Sequence, residues 1–408
     1  MQFSANLNIK WLILFGVWLV YFSFGLTISG LAPIVKIILI DLKMSHTEMG
    51  SVLGAWQLIY IVSAIPCGIL VDRIGPRKAL FVAAIIMAIS GLARSLSSDY
   101  LALFLSVALF GLGGPIVSSG APKLVALWFS GKDRGLAMGV YITGPALAGL
   151  LTLSSTHPIF LPLFENSWRS VIQLWSLVTL FIGFFWIYIS SHPKSLAIEN
   201  QIATEQKRTQ LQEVTELLKI APVRIMLFMA VGIFMFNHGL NNWLPELLRA
   251  NGMSAVNAGY WATIPTIVGV IGALSIPRYA SPERRVLILS LLTIAGGCAT
   301  LFLLSAPGPL LFLGLMLQGI ARSSLMTIAI LTLVEQPGIG KTRAGIVSGL
   351  FFSAAEVGGV GGPIMLGYLY DVTGGFTAGL HMLTIIMIAL FFGSVNLKYM
   401  ASSSQKPR

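Results

Sequence analysis

From residue 11 onward the chain alternates long apolar runs with short polar breaks. The runs fall at roughly 11–35, 48–71, 79–95, 100–127, 135–156, 167–190, 224–248, 255–276, 285–304, 308–333, 343–369 and 376–397, each near the about 20 residues a helix needs to cross a hydrocarbon core. Twelve spanning helices are predicted. Ser45 with Glu48 forms the S-x-x-E pattern of a capping box before the second run, and Ser254 takes the same place before the eighth. The first run is too long for a signal-peptide core and lacks a clear small-residue cleavage site, so it reads as the first helix.

The runs repeat one design. "KMSHTEMG" at 43–50 aligns with "GMSAVNAG" at 252–259, "ALFGLGGP" at 108–115 with "LMLQGIAR" at 315–322 when Gly111 is set on Gly319, and "KDRGLAMG" at 132–139 with "KTRAGIVSG" at 341–349. Three segments in one order, all offset by about 209 residues, indicate a duplicated six-helix unit. Between the copies lies a polar stretch at 191–223, in which Ile198, Ile202, Leu211, Val214 and Leu218 approximate a helical stripe. The expected domains are a bundle over 1–190, a cytoplasmic linker with a surface helix over 191–223, and a second bundle over 224–408.

Composition agrees with this picture. The 408 residues are 56% hydrophobic and 10% charged, with a mean hydropathy of +0.84, whereas soluble domains carry roughly 25% charged residues. Too little charge is present to cover a water-soluble fold of this size. The fold class is an all-α polytopic membrane protein of two pseudo-symmetric six-helix bundles.

Charge adds orientation. A net charge of +11 suggests nucleic acid only until its positions are read. With the N-terminus placed in the cytoplasm, only Lys36, Lys43, Arg94, Arg169 and Arg249 fall in outside segments, and Arg322 lies within a span. The remaining Lys and Arg fall inside, which is the positive-inside pattern. It predicts a multi-pass plasma (inner) membrane protein with both termini cytoplasmic. Cys67 and Cys298 fall within spans and imply no disulfide framework.

One break has a composition of its own. "GILVDRIGPRK" at 68–78 closes the second run with Gly68, Asp72, Arg73, Gly75, Arg77 and Lys78. Gly68 is suited to close helix approach, Gly75 and Pro76 to a tight loop, and Asp72 to attracting a basic group or a helix N-terminus. The stretch resembles the G-x-L-x-D-R-x-G-x-R-K signature of the major facilitator superfamily, and with twelve runs, a long central connection and a duplication the resemblance covers the whole chain. It implies that these residues latch the two halves in the outward-open state; serving as a topology anchor is the plainer role. The second copy, "GALSIPRYASPERR" at 272–285, has Ile276 where the acid would align, which predicts a lopsided latch. "ALWFSGKDRGLAMG" at 126–139 is similar to a passage common in anion and organic-acid members among others, "SWRSV" at 167–171 looks like the W-R that opens the sixth helix of the family, and "NWLPELL" at 242–248 resembles cyanate and nitroimidazole-type members. The arginine common in the fourth helix is replaced by Val107.

A charge in mid-bilayer is costly and marks a functional site by default. Arg322 lies 14 residues into its run and Glu356 13 into its own, each roughly 20 Å from the start at about 1.5 Å per residue. A structural ion pair between them is one reading. The other gives Arg322 to an anionic group and Glu356 to a coupling proton. His238, Asn237 and Asn241 sit at similar depth in the seventh run, and Tyr21, Gln57 and Tyr60 are candidate lining residues of the first half, with Trp56, Ser23 and Thr27 beside them. A packing role is the plainer reading for each of these first-half residues; for His238 a hydrogen-bonded helix residue and a ligand contact stand level, and interhelical bonding is the other reading of the two Asn residues.

The expected function is a secondary transporter that moves a small organic or cyanate-like anion by alternating access, with a proton as a possible symported ion. The alternatives are an exporter of amphipathic or cationic compounds and a non-transporting membrane receptor. No enzyme chemistry is expected, because no nucleophile–base set, metal-ligand cluster or phosphate loop is found. The partners expected are a small solute, the bilayer and protons, without nucleic acid, cofactor or metal, and the chain is expected to act as a monomer.

Overall fold

A computed structural model of the chain describes residues 2–193, 211–336 and 339–404. Among the described residues helices are the only regular structure, and twelve are long and apolar enough to cross a membrane. We number these spans α1 (Ile9–Asp41), α2 (His46–Ile74), α3 (Pro76–Ser95), α4 (Tyr100–Trp128), α5 (Asp133–Leu163), α6 (Trp168–Ser190), α7 (Ala221–Ala250), α8 (Ala255–Tyr279), α9 (Arg285–Phe302), α10 (Pro309–Val334), α11 (Ile346–Thr373) and α12 (Thr377–Leu397).

Local chemistry sets the ends. At α2, Glu48 N–H donates to Ser45 Oγ at 3.1 Å and Ser45 N–H donates to Glu48 Oε2 at 2.8 Å, the reciprocal pair that the S-x-x-E pattern predicts. Ser254 caps α8 by accepting from Asn257 N–H at 3.3 Å. Two spans outrun their expected ends. The first helical stretch of α1 stops at Ser29, and a 3-10 turn over Ala32–Ile34 carries Pro33 before helix resumes over Val35–Asp41. Proline supplies no N–H to a continuing ladder, so the chain steps around it instead of ending there. α5 continues through a π-helical turn at Thr156–Phe160, where His157 Nε2 is 2.7 Å from Pro33 O. The short helix Leu211–Lys219 buries Leu217 and leaves Leu218 exposed, so its inner face is one residue away from the expected stripe. Ile198 and Ile202 lie outside the described residues.

The helices gather into two units. One holds residues 1–44 and 55–207, the other 45–54 and 208–408. Within each, glycines let backbones touch, as small residues do where lipid offers no hydrophobic drive for helix association. In the first unit, a Cβ built on Gly111 of α4 would lie closer than 3.0 Å to the Trp56 carbonyl oxygen of α2. In the second, Gly319 of α10 stands in the same relation to the Pro265 carbonyl of α8. Gly111 and Gly319 are the pair aligned by the sequence repeat, and Trp56 and Pro265 are themselves 209 residues apart. Gly25 of α1 presses on Pro145 of α5, while Gly358 and Gly362 of α11 press on the Val231 and Met235 carbonyls of α7. Each unit thus joins its first helix to its fifth, and its second to its fourth, through glycine.

Segment Ser45–Gly54 belongs to the second unit through α11. Gly50 and Gly54 lie against the Pro363 and Val360 backbone, and Gly367 lies against the His46 carbonyl. The Asp371 carboxylate accepts from His46 N–H at 3.0 Å, Thr47 N–H at 2.7 Å and Thr47 Oγ1–H at 2.6 Å. A negative group at a helix N-terminus satisfies orphan donors and favours the helix dipole. The His46 ring stacks on Tyr370 with centroids 3.7 Å apart.

These contacts rank three substitutions. Gly358→Ala forces α11 off α7 and is expected to cost about 1–3 kcal/mol, as overpacking does. Asp371→Ala removes a helix cap and is expected to cost about 1 kcal/mol. Gly349→Ala, on the same helix but with nothing within 4 Å of the added carbon, should leave stability unchanged or slightly raised. Thermal unfolding of the purified protein in detergent checks the order.

Candidate substrate site

Arg322 of α10 is the centre of a polar cluster in the second unit. Its Nη1 donates to Asn241 Oδ1 of α7 at 2.5 Å, and its Nη2 to Thr266 Oγ1 of α8 at 3.3 Å. The packing above explains why they meet: Gly319 sits one turn before Arg322 and Pro265 immediately precedes Thr266, so the glycine contact delivers the hydroxyl to the guanidinium. Arg322 is half-buried. Both contacts are neutral, and no carboxylate among the described residues lies within ion-pair distance of it.

The ion pair between Arg322 and Glu356 is not formed. Glu356 of α11 is 5% exposed, and among the described residues it has no hydrogen-bond or ion-pair partner; its Oε2 is buried and unmatched. Asn241 and Thr266 instead solvate the guanidinium while leaving its positive charge uncancelled.

Two helix rows extend the cluster. Asn237 precedes Asn241 by one turn on α7, and its Oδ1 is buried without a hydrogen bond. Gln318 precedes Arg322 by one turn on α10; it is 0% exposed, and both its Oε1 and its Nε2 lack a partner. Residues four apart share a helix face and are separated by about 6 Å along the axis. The sequence reading missed Gln318, although the four-residue spacing to Arg322 was the available signal. His238 is within electrostatic reach of Arg322, and its ring packs on Phe234 with centroids 5.3 Å apart.

In the first unit the expected lining residues divide. Tyr21 packs against Phe24 and Tyr141, while Trp56 meets Phe24, Tyr60 and Phe110 edge-on. Gln57 is fully buried, whereas Tyr60 is half-buried. Ser23 and Thr27 are buried and bond to the Val20 and Ser23 carbonyls of their own helix. Their hydroxyls donate locally, as serine and threonine in helices commonly do.

The 68–78 segment is tied within the first unit. Lys123 Nζ donates to Asp72 Oδ1 at 2.7 Å, joining the ends of α4 and α2. Gly75 turns the chain at φ +81°, Trp186 Nε1 donates to the Arg77 carbonyl at 2.9 Å, and Arg77 Nη1 donates to Ser191 Oγ at 3.2 Å. Arg73 and Lys78 are exposed. Among the described residues nothing lies within 4 Å of a Cβ at Gly68, so the close approach expected there is absent in this state. In the second unit Arg285 makes two bonds to Glu335, at 2.5 and 3.1 Å, and holds that exposed carboxyl below its usual range. This pair joins α10 to α9, not to α8, so the Asp72–Lys123 tie has no counterpart at Ile276 among the ion pairs of the described residues.

Two further charges are buried. Glu246 of α7 is 8% exposed and 3.5 Å from Arg249. Arg94, read as an outside residue, is 2% exposed in the last turn of α3. Both lie near helix ends, where a long side chain is free to reach the surface; here each turns inward.

Twelve spanning helices around polar clusters of this kind define a multi-pass membrane transporter. A family model described as Major Facilitator Superfamily matches residues 17–363, and the chain belongs to that superfamily. It is 25% identical over 357 residues to the hexuronate transporter of Bacillus subtilis (strain 168), covering 83% of this chain and 82% of that protein. It is 25% identical over 392 residues to a quinolone resistance transporter of Acinetobacter baumannii, covering 85% and 84%. The crystal structure of the nucleoside transporter NupG shares the fold at a TM-score of 0.79 and 14% identity, over 96% of this chain and 99% of that one.

A buried amide with no partner costs about 1–3 kcal/mol. Gln318→Leu, which keeps the volume and removes the polar atoms, is therefore expected to raise the melting temperature of the purified protein while lowering its transport rate.

Proposed function

We propose that the protein is a secondary transporter of small organic anions in which Arg322 holds the carboxylate. The observation that carries this reading is that Arg322 is bonded only to neutral oxygens, so an uncompensated cation stands deep in the second unit. A guanidinium fork matches a carboxylate in geometry as well as charge. The unmatched amide atoms of Gln318 and Asn237, one turn away on either helix row, suit the hydroxyl groups of a hydroxylated acid. The similarity to a hexuronate transporter points the same way.

In this reading two six-helix bundles joined through 191–223 expose the site alternately to each side of the plasma membrane. The basic segments hold both termini in the cytoplasm, and the 68–78 cluster latches the bundles when the outer side is open. Glu356, without a partner, takes up and releases the coupling proton, and the transporting unit is the monomer.

Uptake of labelled D-glucuronate into proteoliposomes tests the site. Arg322→Ala is expected to lower the initial rate at least tenfold, and robust uptake by that variant rejects the assignment. Glu356→Gln is expected to abolish the stimulation given by an imposed proton gradient while sparing counterflow. Gradient-driven uptake that survives in Glu356→Gln removes the proton role.

A second reading has an observation of its own. The unpaired Glu356 carboxylate can also hold a cation, and a quinolone resistance transporter is among the relatives. Competition by cationic compounds that Glu356→Gln abolishes, with no competition by carboxylates, selects that reading.

A further inference from the structure

The first unit contains a cation that neither the 68–78 motif nor the Arg322 cluster uses. Arg94 stands at the end of α3, 18 residues beyond Pro76 and thus about 27 Å along the axis from the 68–78 turn. It is 2% exposed, and no ion pair includes it among the described residues. Its Nη1 donates to the Thr27 carbonyl of α1 at 2.6 Å, in the last turn before that helix breaks. Its Cζ lies over the Phe110 ring, 5.7 Å from the centroid. Nε and Nη2 are buried and have no partner.

The choice of committed and uncommitted atoms is informative. Capping Thr27 uses Nη1 alone and leaves the adjacent Nε and Nη2 hydrogens, which form the parallel pair that grips two coplanar oxygens. An arginine stays protonated in proteins, so a full charge is held here without an anion, a state the interior tolerates poorly.

Packing does not require that charge. The 209-residue offset that carries Trp56 onto Pro265 carries Arg94 onto Leu303, which is 0% exposed at the end of α9. A leucine therefore fills the corresponding place in the second unit. The arginine adds a charge and two directed donors to a position that an apolar side chain is able to occupy.

We propose that the Nε–Nη2 edge of Arg94 binds the carboxylate of a small organic acid, forming an anion site in the first unit separate from the one at Arg322. The bond from Nη1 to the Thr27 carbonyl anchors the guanidinium beside Phe110, and the carboxylate meets the Nε–Nη2 edge in the guanidinium plane. This site stands on its own geometry and does not depend on the role given to Arg322.

Acetate titrated into the purified full-length protein in detergent, with chloride exchanged to keep ionic strength constant, provides the test. A ligand that binds the folded state raises its melting temperature, and each variant is compared with its own acetate-free baseline. The Arg322→Gln protein isolates the first-unit site and is expected to retain an acetate-dependent rise. Adding Arg94→Leu should weaken the apparent acetate affinity at least tenfold, and adding Arg94→Gln, which keeps a donor for Thr27, should do the same if the leucine variant does not fold. Arg94→Lys in that background is expected to retain a partial response, since it keeps the charge but not the fork. Absence of any acetate response in Arg322→Gln overturns the proposal. So does a response within threefold of it after Arg94 is replaced, because a residue that only caps α1 lowers the baseline and leaves the acetate-induced shift intact. Loss of glucuronate uptake in Arg322→Ala is read separately and bears on neither outcome.

Discussion

A guanidinium inside a membrane-spanning helix must be met by oxygen, and which oxygens meet it decides what it can do. At Arg322 they are the amide of Asn241 and the hydroxyl of Thr266. A carboxylate in their place would neutralise the arginine and compete with any anion that arrived. Neutral oxygens hold its direction and leave its charge. The arrangement depends on three helices keeping register within a fraction of a turn, because one residue of slip on α8 or α7 rotates the oxygen by about 100° around its helix.

That register is set by contacts that are not polar at all. Gly319 brings α10 down onto the Pro265 carbonyl of α8, and the next residue of α8 is Thr266. Gly358 and Gly362 seat α11 on α7 in the same way, placing Glu356 within the unit that holds Arg322. The first unit repeats the α10–α8 contact with Gly111 of α4 on Trp56 of α2, yet the repeat offset sets glycine, Gly113 or Gly114, where Arg322 stands. The scaffold is duplicated and the chemistry is not. What the first unit presents near that contact is aromatic: Trp56, Tyr60, Phe24 and Phe110.

The scaffold was legible in the sequence because hydropathy and glycine spacing are properties of single positions. The runs located all twelve spans, the S-x-x-E pattern located the α2 cap, and the Gly111–Gly319 alignment marked the duplication, while the helices those glycines touch became visible only in the fold. The site was legible only where it carried formal charge. Arg322 and Glu356 stood out, while Gln318 did not, since an uncharged amide lowers the hydropathy of a run only slightly and its lack of partners appears only with its neighbours in place. Arg94 and Glu246 escaped for another reason: near a helix end the sequence does not say whether a long side chain reaches outward or folds inward. The extension of α1 past Pro33 was equally hidden, because proline marks a break without saying whether the helix resumes beyond it.

The unmatched groups share a thermodynamic logic. Gln318, Asn237, Glu356 and Arg94 each leave buried polar atoms without partners in this state, and in a low-dielectric interior such omissions are costly. A protein selected for stability alone would replace them, as Leu303 illustrates at the repeat position of Arg94. Their persistence is understandable if the missing partners arrive with the solute. Binding then restores what the empty state lacks, and ligand affinity and fold stability become two readings of one free energy. The deficit must stay modest for transport to proceed, because a site that gained too much on binding would hold its solute and stop. Spreading it over neutral amides and cations that already have some neutral contacts, instead of concentrating it in one naked charge, keeps each contribution small enough for release.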